Sequence, residues 1–176
     1  KKYDKFLKTE LDVTIGQTNT ELDSRRNIVR KGDAAIGNLI ADAMRDGVDA
    51  DIAIANGGGI RAKKIYAPGT SISRRDMLTE MPFGNVVVKL RLTGAQIWEA
   101  LENGVSQVEQ NAGRFPQVSG VSFTYNPKAQ AGSRVVSAKI GGHPLNKGRS
   151  YTVATNNYAA GGGDGFSVFK KGEVII

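Results

Sequence analysis

Two glycine-rich stretches of the sequence place charged and aromatic side chains beside bare backbone. The first, "ANGGGIRA" at Ala55–Ala62, has Arg61 two residues after three consecutive glycines. The second, "NNYAAGGGDGF" at Asn156–Phe166, contains Tyr158 and Asp164. Each follows a strand-like run, and a strand exit without side chains lets a ligand approach closely while neighbouring polar groups fix its orientation. We therefore predict that both stretches contribute to a ligand site.

Established phosphate-binding motifs do not explain the first stretch. Its "GGGIRA" fits the dinucleotide fingerprint G-x-G-x-x-A, but Pro68 and Gly69 break any helix within two turns, and that fingerprint requires a helix. The Walker pattern G-x-x-x-x-G-K-[ST] does not occur. The alternative without a ligand is that Gly57–Gly59 form a tight strand exit that needs positive φ.

Other candidate residues have plain structural alternatives. Phe83 lies between Pro and Gly in "MPFGN" and, taken alone, is as consistent with a core anchor as with a binding role. Arg26 and Arg30 lie in the charged stretch "DSRRNIVRKGD", where exposed arginines are the default. His143, in "IGGHPL", is expected in an exposed turn. Three further aromatic residues are expected in the core: Trp98, Phe115 and Phe123.

Composition narrows the ligand class. The 176 residues carry a net charge of +7, which favours anionic partners, but no block of like charges indicates a nucleic-acid arm. With no cysteine and one histidine, the chain cannot form a zinc site from His and Cys ligands. No apolar run approaches the roughly 20 residues that a membrane span needs, and Lys1–Lys8 lacks the apolar segment of a signal peptide.

Hydrophobic spacing predicts an α+β fold with layered helices and mixed or antiparallel sheets. One helix is expected from Asp33, as its cap, to Gly47, with an apolar face of Ile36, Leu39, Ile40, Ala43 and Met44. A second should begin at Thr93 and continue to Gln110, weakened by Gly104. A polar helix is expected over Lys1–Asp12. Strands are predicted at Asp51–Asn56, Asn85–Thr93, Val121–Asn126, Arg134–Ile140 and Tyr151–Tyr158, with hairpins joining the later ones.

Five motifs, in order, resemble the C-terminal domain of the 5′-nucleotidase family. They are "IGNLIADAM", "DIAIANGGGIRA", "MPFGNVVVKLRLTGAQIWEALENG", "GRFPQVSGVSFTYN" and "YTVATNNYAAGGGDGF". That family includes UDP-sugar hydrolases and 2′,3′-cyclic-nucleotide phosphodiesterases. The resemblance implies that residues 21–176 form a nucleotide-binding domain and that residues 1–20 are the remnant of an interdomain helix or linker.

The resemblance also implies a nucleoside pocket. Phe83 and Tyr158 would sandwich the base, although Tyr158 replaces the phenylalanine common in the family. Asp164 would accept hydrogen bonds from the ribose hydroxyls, and Asn56 would lie close to the base. Stacking tolerates any base, because every base has a π-face. Broad base specificity is therefore expected.

Three arginines complete the implied site. Arg61 and Arg30 would bind ribose or phosphate oxygens, and Arg26 matches a further arginine of bacterial members. The glycines, Gly58 among them, would leave clearance for the nucleotide beside Arg61. A guanidinium suits phosphate because its planar fork donates two hydrogen bonds at once.

Catalysis is expected elsewhere in a longer protein. The resemblance implies an N-terminal metallophosphoesterase domain with two divalent metal ions, so this chain should have no catalytic residue, metal or cofactor and should be inactive alone. Its expected partners are nucleotides, nucleosides and that domain, with no nucleic acid and no membrane span. Family members are exported, which implies an extracellular, periplasmic or cell-wall location. Two alternatives stay open: a non-catalytic nucleotide- or nucleic-acid-binding module, and a surface domain whose pocket has decayed.

Overall fold

The computed structural model describes residues 9–176 and has the predicted α+β architecture. Most of the helix expected over Lys1–Asp12 lies outside the described residues. The helices are α1 (Arg26–Val29), α2 (Ala35–Gly47), α3 (Arg74–Glu80), α4 (Gly94–Val105) and α5 (Asn157–Ala160). The strands are β1 (Thr14–Gln17), β2 (Leu22–Asp23), β3 (Ile52–Asn56), β4 (Ile65–Tyr66), β5 (Ser71–Ser73), β6 (Val87–Thr93), β7 (Pro116–Ser119), β8 (Val121–Tyr125), β9 (Val135–Ile140), β10 (His143–Pro144), β11 (Ser150–Asn156) and β12 (Glu173–Val174).

A five-stranded mixed sheet forms the centre of the molecule. Its strand order is β12-β6-β11-β3-β7, in which β11 and β3 are parallel and the other neighbours are antiparallel. Successive residues of β3 face opposite sides, so Ile52 and Ile54 enter one core while Ala53 and Ala55 enter the other. Both faces of the sheet are therefore covered, which explains the uninterrupted apolar run of β3.

Different helices cover the two faces. Helix α4 lies on one side, where the rings of Phe166 and Phe169 stack with centroids 5.0 Å apart. Helix α2 lies on the other side and contacts β3, β7 and β11. Phe115 is buried in the α4 core, while Trp98 and Phe123 are partly buried against it. The three aromatic residues predicted for the core thus all pack there.

Smaller sheets extend this centre. Strands β8, β9 and β10 form an antiparallel sheet, β1 pairs with β5, and β2 pairs with β4. Gly141 and Gly142 join β9 to β10 with φ of 57° and 82°, as a tight hairpin between right-twisted strands requires. The hairpins predicted for this region are confirmed. His143 is exposed, as expected, but lies in β10 rather than in a turn.

The predicted cap and apolar face of α2 are partly wrong. The N-cap is Ala34, not Asp33, and its amide donates to Gln117 Oε1 at 3.2 Å. Leu39 and Ala43 are exposed, whereas Gly37 is buried. A Cβ on Gly37 would lie 2.2 Å from that same Gln117 oxygen, so the glycine lets the helix approach β7.

Exposed Leu39 borders an apolar groove of 810 Å³. Ile15 of β1, Met77 of α3 and Val87 of β6 also line it. Among the described residues, no helix combines the length and apolar character needed to cross a bilayer.

Helix α4 begins as predicted but ends earlier. The Thr93 hydroxyl accepts from the Gln96 amide, and the Gln96 side chain accepts from the Thr93 amide, in a capping box. The helix ends at Val105, whose carbonyl accepts from Arg134 Nη1 at 2.7 Å, and a separate 3₁₀ turn follows at Val108–Gln110. Gly104 is a packing requirement rather than a weak point, because a Cβ there would lie 2.7 Å from Pro116 Cδ.

Candidate functional site

Four loops meet at one edge of the central sheet. Because β3 and β11 are parallel neighbours, the loops that follow them leave at the same edge. Strands β6 and β7 run antiparallel to them, so the loops that precede β6 and β7 reach this edge as well. The sheet thereby brings together segments that are distant along the chain.

These loops and the end of α1 enclose a cavity of 440 Å³. Seven of the eight predicted site residues line it: Arg30, Asn56, Gly58, Arg61, Phe83, Tyr158 and Asp164. Gly59, Asn85 and Gly113 also line it and were not among the predicted site residues. Arg26, the eighth predicted residue, is exposed at the start of α1 and is not among the lining residues.

The first glycine turn is close-packed against backbone. Gly57–Gly59 form a 3₁₀ turn in which no glycine has positive φ, so the predicted left-handed strand exit is wrong. A Cβ on Gly57 would lie 2.0 Å from the Val29 carbonyl oxygen, and one on Gly58 would lie 2.8 Å from Gly113 Cα. The first two glycines thus admit neighbouring backbone, and Gly58 also lines the cavity.

A buried glutamate holds the chain beside Arg61. Glu80, at the end of α3, accepts from the Arg61 amide through its carbonyl at 2.9 Å and from the Ala62 amide through Oε2 at 3.1 Å. Its Oε1 accepts from the Tyr66 hydroxyl at 2.9 Å. Burial raises the pKa of the Tyr66 phenol, and the Glu80 carboxylate raises it further. Tyr66 therefore remains a hydrogen-bond donor throughout the neutral pH range.

The second glycine turn requires an unusual backbone conformation. Gly162 and Gly165 have φ of 90° and 80°, and Asp164 between them has φ 52°. Aspartate tolerates the left-handed region better than most residues, but a non-glycine residue there is uncommon. The Asp164 carbonyl accepts from Asn103 Nδ2 at 3.2 Å, and Arg114 Nη1 donates to Asn103 Oδ1 at 3.2 Å. These side chains hold the turn from the side of α4.

The Asp164 carboxylate is held on both oxygens. Asn56 Nδ2 donates to Oδ2 at 2.7 Å, and the Tyr158 hydroxyl donates to Oδ1 at 3.3 Å. Each carboxylate oxygen can accept a further hydrogen bond. The carboxylate is therefore oriented and still able to accept from a ligand hydroxyl.

Arg30 is a buried cation whose guanidinium is only partly hydrogen-bonded. Its side chain is 8% exposed, its Nη1 donates to the Asn111 carbonyl at 3.4 Å, and its buried Nε has no hydrogen-bond partner. Burial lowers the pKa of the Arg30 guanidinium, and the neighbouring positive charges of Arg26 and Arg61 lower it further. An anion in the cavity would offset this repulsion.

Arg26, Arg30 and Arg61 have no ion-pair partner in the part of the chain that the structure describes. Within residues 9–176, no carboxylate lies at ion-pair distance from Arg26, Arg30 or Arg61. The cavity thus combines unpaired positive charge with one carboxylate, which suits a ligand that has both acidic oxygens and hydroxyl groups.

Two aromatic side chains on the cavity wall remain accessible. Phe83 is 57% exposed and Tyr158 is 48% exposed, although large aromatic residues usually bury their rings. The core-anchor alternative for Phe83 is therefore wrong. The Arg61 guanidinium lies over the Phe83 ring, 5.3 Å from its centroid. A Cβ on Gly163 would lie 2.5 Å from the Tyr158 ring, so this glycine lets the ring lie flat against the turn.

Gln117 of β7, which was not singled out from the sequence, fixes the end of α1. It is 1% exposed, and its Nε2 donates to the carbonyls of Val29 and Gly32 at 3.0 and 2.8 Å. These contacts hold the backbone on both sides of Arg30.

No metal centre accompanies the cavity in residues 9–176. That part of the chain contains no group of three or more His, Cys, Asp or Glu side chains placed to hold a metal ion. The cavity wall itself presents aromatic rings, hydrogen-bonding groups and positive charge.

Comparison with known proteins identifies the family of the chain. Residues 14–171 match the model of the 5′-nucleotidase C-terminal domain. The chain belongs to this family. It is 43% identical over 164 residues to the trifunctional nucleotide phosphoesterase protein YfkN of Bacillus subtilis, covering 88% of this chain and 11% of that protein. It is 38% identical over 159 residues to the protein UshA of Escherichia coli, covering 90% of this chain and 27% of that protein.

A solved structure shares the fold of this 5′-nucleotidase C-terminal domain. The 5′-nucleotidase precursor of Thermus thermophilus superimposes with a TM-score of 0.88 at 37% identity, over 99% of this chain and 36% of that one. The chain thus spans between about a tenth and about a third of the length of these relatives. The matched range includes β1, which lies in the segment predicted as an interdomain remnant, and every cavity-lining residue.

Proposed function

We propose that this 5′-nucleotidase C-terminal domain is the substrate-recognition domain of an exported, metal-dependent nucleotide phosphohydrolase. The observation that carries the proposal is the single cavity that brings together two exposed aromatic rings, a held carboxylate and unpaired arginines. These groups match, in turn, the base, the ribose hydroxyls and the phosphate of a nucleotide.

Each group has a defined part in binding. The base stacks between Phe83 and Tyr158, which contributes about 1–3 kcal/mol per ring and does not select one base. The two ribose hydroxyls donate to Asp164. Arg30 and Arg61 bind ribose or phosphate oxygens, and Arg26 adds positive charge from its exposed position. Since a phosphate on the ribose 2′ or 3′ oxygen would meet the carboxylate, a 5′-phosphate is favoured.

Hydrolysis takes place on a second domain. We assign residues 21–176 to the nucleotide-binding domain and the two divalent metal ions to an N-terminal metallophosphoesterase domain of the same polypeptide. That domain supplies the activated water and stabilises the leaving oxygen. This chain presents the phosphate to it and should not hydrolyse AMP alone. A fusion to the metallophosphoesterase domain of a relative should restore metal-dependent hydrolysis, and a folded, metal-loaded fusion without activity would contradict this assignment.

Calorimetric titration with adenosine and AMP tests the recognition role. We expect weak, saturable binding that is lost in a folded Phe83→Ala/Tyr158→Ala variant, because both stacking faces are removed. Phe83→Tyr is the matched control: it retains a ring at the same position and should bind within about threefold of the wild type. Equal affinity in the double variant would contradict the stacking role.

Salt dependence separates this role from nucleic-acid binding. A pocket for one nucleotide contacts few phosphates, so its affinity should fall only slightly with salt. A steep dependence, together with tighter binding to an oligonucleotide than to AMP, would favour a nucleic-acid-binding module. No binding of any nucleotide to the wild type would favour a decayed pocket.

A further inference from the structure

Two buried asparagines form a hydrogen-bonded relay that ends at Asp164. Asn156, the last residue of β11, is 3% exposed, and Asn56, the last residue of β3, is 5% exposed. Asn156 Nδ2 donates to Asn56 Oδ1 at 2.9 Å, and Asn56 Nδ2 donates to Asp164 Oδ2 at 2.7 Å. The relay thus crosses between the two parallel strands before it enters the cavity wall.

The direction of the relay is fixed at its buried end. Asn156 Oδ1 accepts from the Ala159 amide at 2.8 Å, as the N-cap of α5. A backbone amide can only donate, so the oxygen of Asn156 must face Ala159 and its NH₂ must face Asn56. The oxygen of Asn56 then faces Asn156, and its NH₂ is directed at Asp164. One backbone amide therefore determines the orientation of both side-chain amides.

This polarity has a consequence for the ligand. Asp164 receives a donor from the protein on Oδ2, so it needs no reorientation to accept further donors from the cavity. Asn56, in contrast, has its oxygen and its nitrogen both engaged by protein groups. Its part in the relay is to orient the carboxylate.

We infer that Asn156 is a positioning residue which, through Asn56, holds the Asp164 carboxylate as the acceptor of the two ribose hydroxyls. The relay thereby sets the preference of the site for nucleosides and nucleotides whose 2′ and 3′ hydroxyls are free. This inference rests on the proposed nucleotide-binding function.

Asn156→Asp is the most specific disruption of the relay. Aspartate keeps the oxygen that caps α5 but replaces the NH₂ with a second oxygen, which would face Asn56 Oδ1. Asn56 must then reverse its amide and turn its oxygen toward Asp164, so the carboxylate loses its donor. Asn156→Ser is a second variant, which keeps a capping oxygen and removes the donor without burying a charge.

Asn157→Asp is the matched control, with the same chemical change at the next residue. Asn157 is exposed, and its Oδ1 accepts from the Val86 amide at 3.1 Å, a contact that aspartate preserves. Any effect of added negative charge near the cavity appears in this control, whereas an effect of the relay does not.

Titration with adenosine and with 2′,3′-dideoxyadenosine reads out the relay, because only adenosine carries the hydroxyls. We expect Asn156→Asp and Asn156→Ser to weaken adenosine binding about tenfold and to leave dideoxyadenosine within about twofold of the wild type. Asn157→Asp should leave both affinities near the wild type. Equal weakening of both ligands in the Asn156 variants would show a merely structural role and overturn the inference, as would no weakening of either.

A measurement on the free protein separates failure of the relay from failure of the proposed function. The side-chain NH₂ signals of Asn56 in an NMR spectrum should shift and lose protection from hydrogen exchange in Asn156→Ser, but not in Asn157→Asp. Unchanged Asn56 signals would overturn the relay itself. If those signals change and the wild type binds neither nucleoside, the proposed function fails, and the ligand preference inferred from it fails as well.

Discussion

The two glycine-rich turns of the cavity follow parallel neighbouring strands and have similar compositions, yet they need glycine for different reasons. In the turn after β3, Gly57 and Gly58 leave room for backbone from α1 and from the loop before β7. In the turn after β11, Gly162 and Gly165 supply positive φ. The first turn needs glycine for close packing against backbone, and the second needs glycine for its positive φ angles.

The difference matters because of where each turn places its functional side chain. Arg61 lies beyond the first turn, on backbone that the buried Glu80 holds. Asp164 lies inside the second turn and itself adopts a left-handed conformation, which side chains of α4 and β3 help to hold. The uncommon backbone conformation therefore lies at Asp164, the residue that we assign to the ribose, while hydrogen bonds to Glu80 hold the backbone beyond the first turn.

The largest effect is expected at the first turn. Gly57→Ala places a Cβ 2.0 Å from the Val29 carbonyl oxygen, and backbone must move to accommodate it. We expect the free energy of unfolding, measured by urea denaturation, to fall by about 3 kcal/mol. Gly16→Ala is the control, because no heavy atom lies within 4 Å of its added Cβ, and it should change stability by less than about 0.5 kcal/mol. Equal effects would remove the packing explanation.

The next effect concerns binding at the second turn. Asp164→Asn keeps the shape of the side chain and its tolerance of positive φ, but it replaces one acceptor oxygen with a donor. Adenosine affinity should fall by about 2 kcal/mol, since hydrogen bonds to charged groups contribute about 1.5–3 kcal/mol. Calorimetry provides the affinity. Unchanged adenosine binding would show that Asp164 does not accept from the ribose.

A smaller effect should be confined to the second turn. Arg114 Nη1 donates to Asn103 Oδ1 and to Ser106 Oγ, at 3.2 and 3.1 Å. Arg114→Lys keeps the charge but loses this arrangement, which should cost about 1 kcal/mol of stability. Hydrogen exchange should accelerate at Asp164 and Gly165 but not at Gly58.

The control for this variant is the same substitution in an exposed ion pair. Arg75 pairs with Asp12 on the surface, and Arg75→Lys should leave the denaturation midpoint unchanged within error. If Arg114→Lys accelerates exchange equally in both glycine turns, the two turns do not have separate supports.

The smallest effect is a pH dependence of the helix that supports the first turn. Burial alone would raise the pKa of the Asp76 carboxyl at the start of α3, but hydrogen bonds from Ser73 and Lys64 outweigh burial and lower that pKa to about 2. A lowered carboxyl pKa stabilises the fold at neutral pH, and this contribution is lost as pH falls from about 4 to about 2.

Asp76→Asn tests that dependence. The variant should lose up to about 1 kcal/mol of stability at pH 7 and should show a flatter decline than the wild type between pH 4 and pH 2. Urea denaturation across this pH range provides the comparison. Parallel declines of the two proteins would show that Asp76 does not contribute to the acid sensitivity.

Hydrophobic periodicity and helix-capping residues were sufficient to predict several strands and the start of one helix. Alternation and apolar runs indicated β3, β6 and β11, and the Thr93 cap indicated the start of α4. Strand β7 was missed, because its first residue, Pro116, is atypical of strands, and only an edge position accommodates it. Leu39 was assigned to the core by helical spacing, since spacing does not reveal that Gly37 is buried against β7 while Leu39 is exposed.

Most of the residues that line the cavity could be predicted from the sequence, but the residues that support them could not. Seven lining residues were assigned roles from the family resemblance, whereas Asn85 and Gly113 lie in two of the quoted motifs but were assigned none. The part played by Gln117 depends on contacts to residues 85 and 88 positions away, and that of Asn156 on one 100 positions away. Such contacts exist only once β3 has paired with β7 on one side and with β11 on the other, so local sequence carries no signal of them.

The most direct test of the central claim is an NMR titration of isotopically labelled chain with adenosine. If the two turns form one nucleoside site, amide signals of Gly58, Phe83, Tyr158 and Asp164 should shift together and fit one dissociation constant. Signals along the apolar groove, such as those of Ile15 and Leu39, should remain in place. Shifts confined to that groove, or separate dissociation constants for the two turns, would contradict the account.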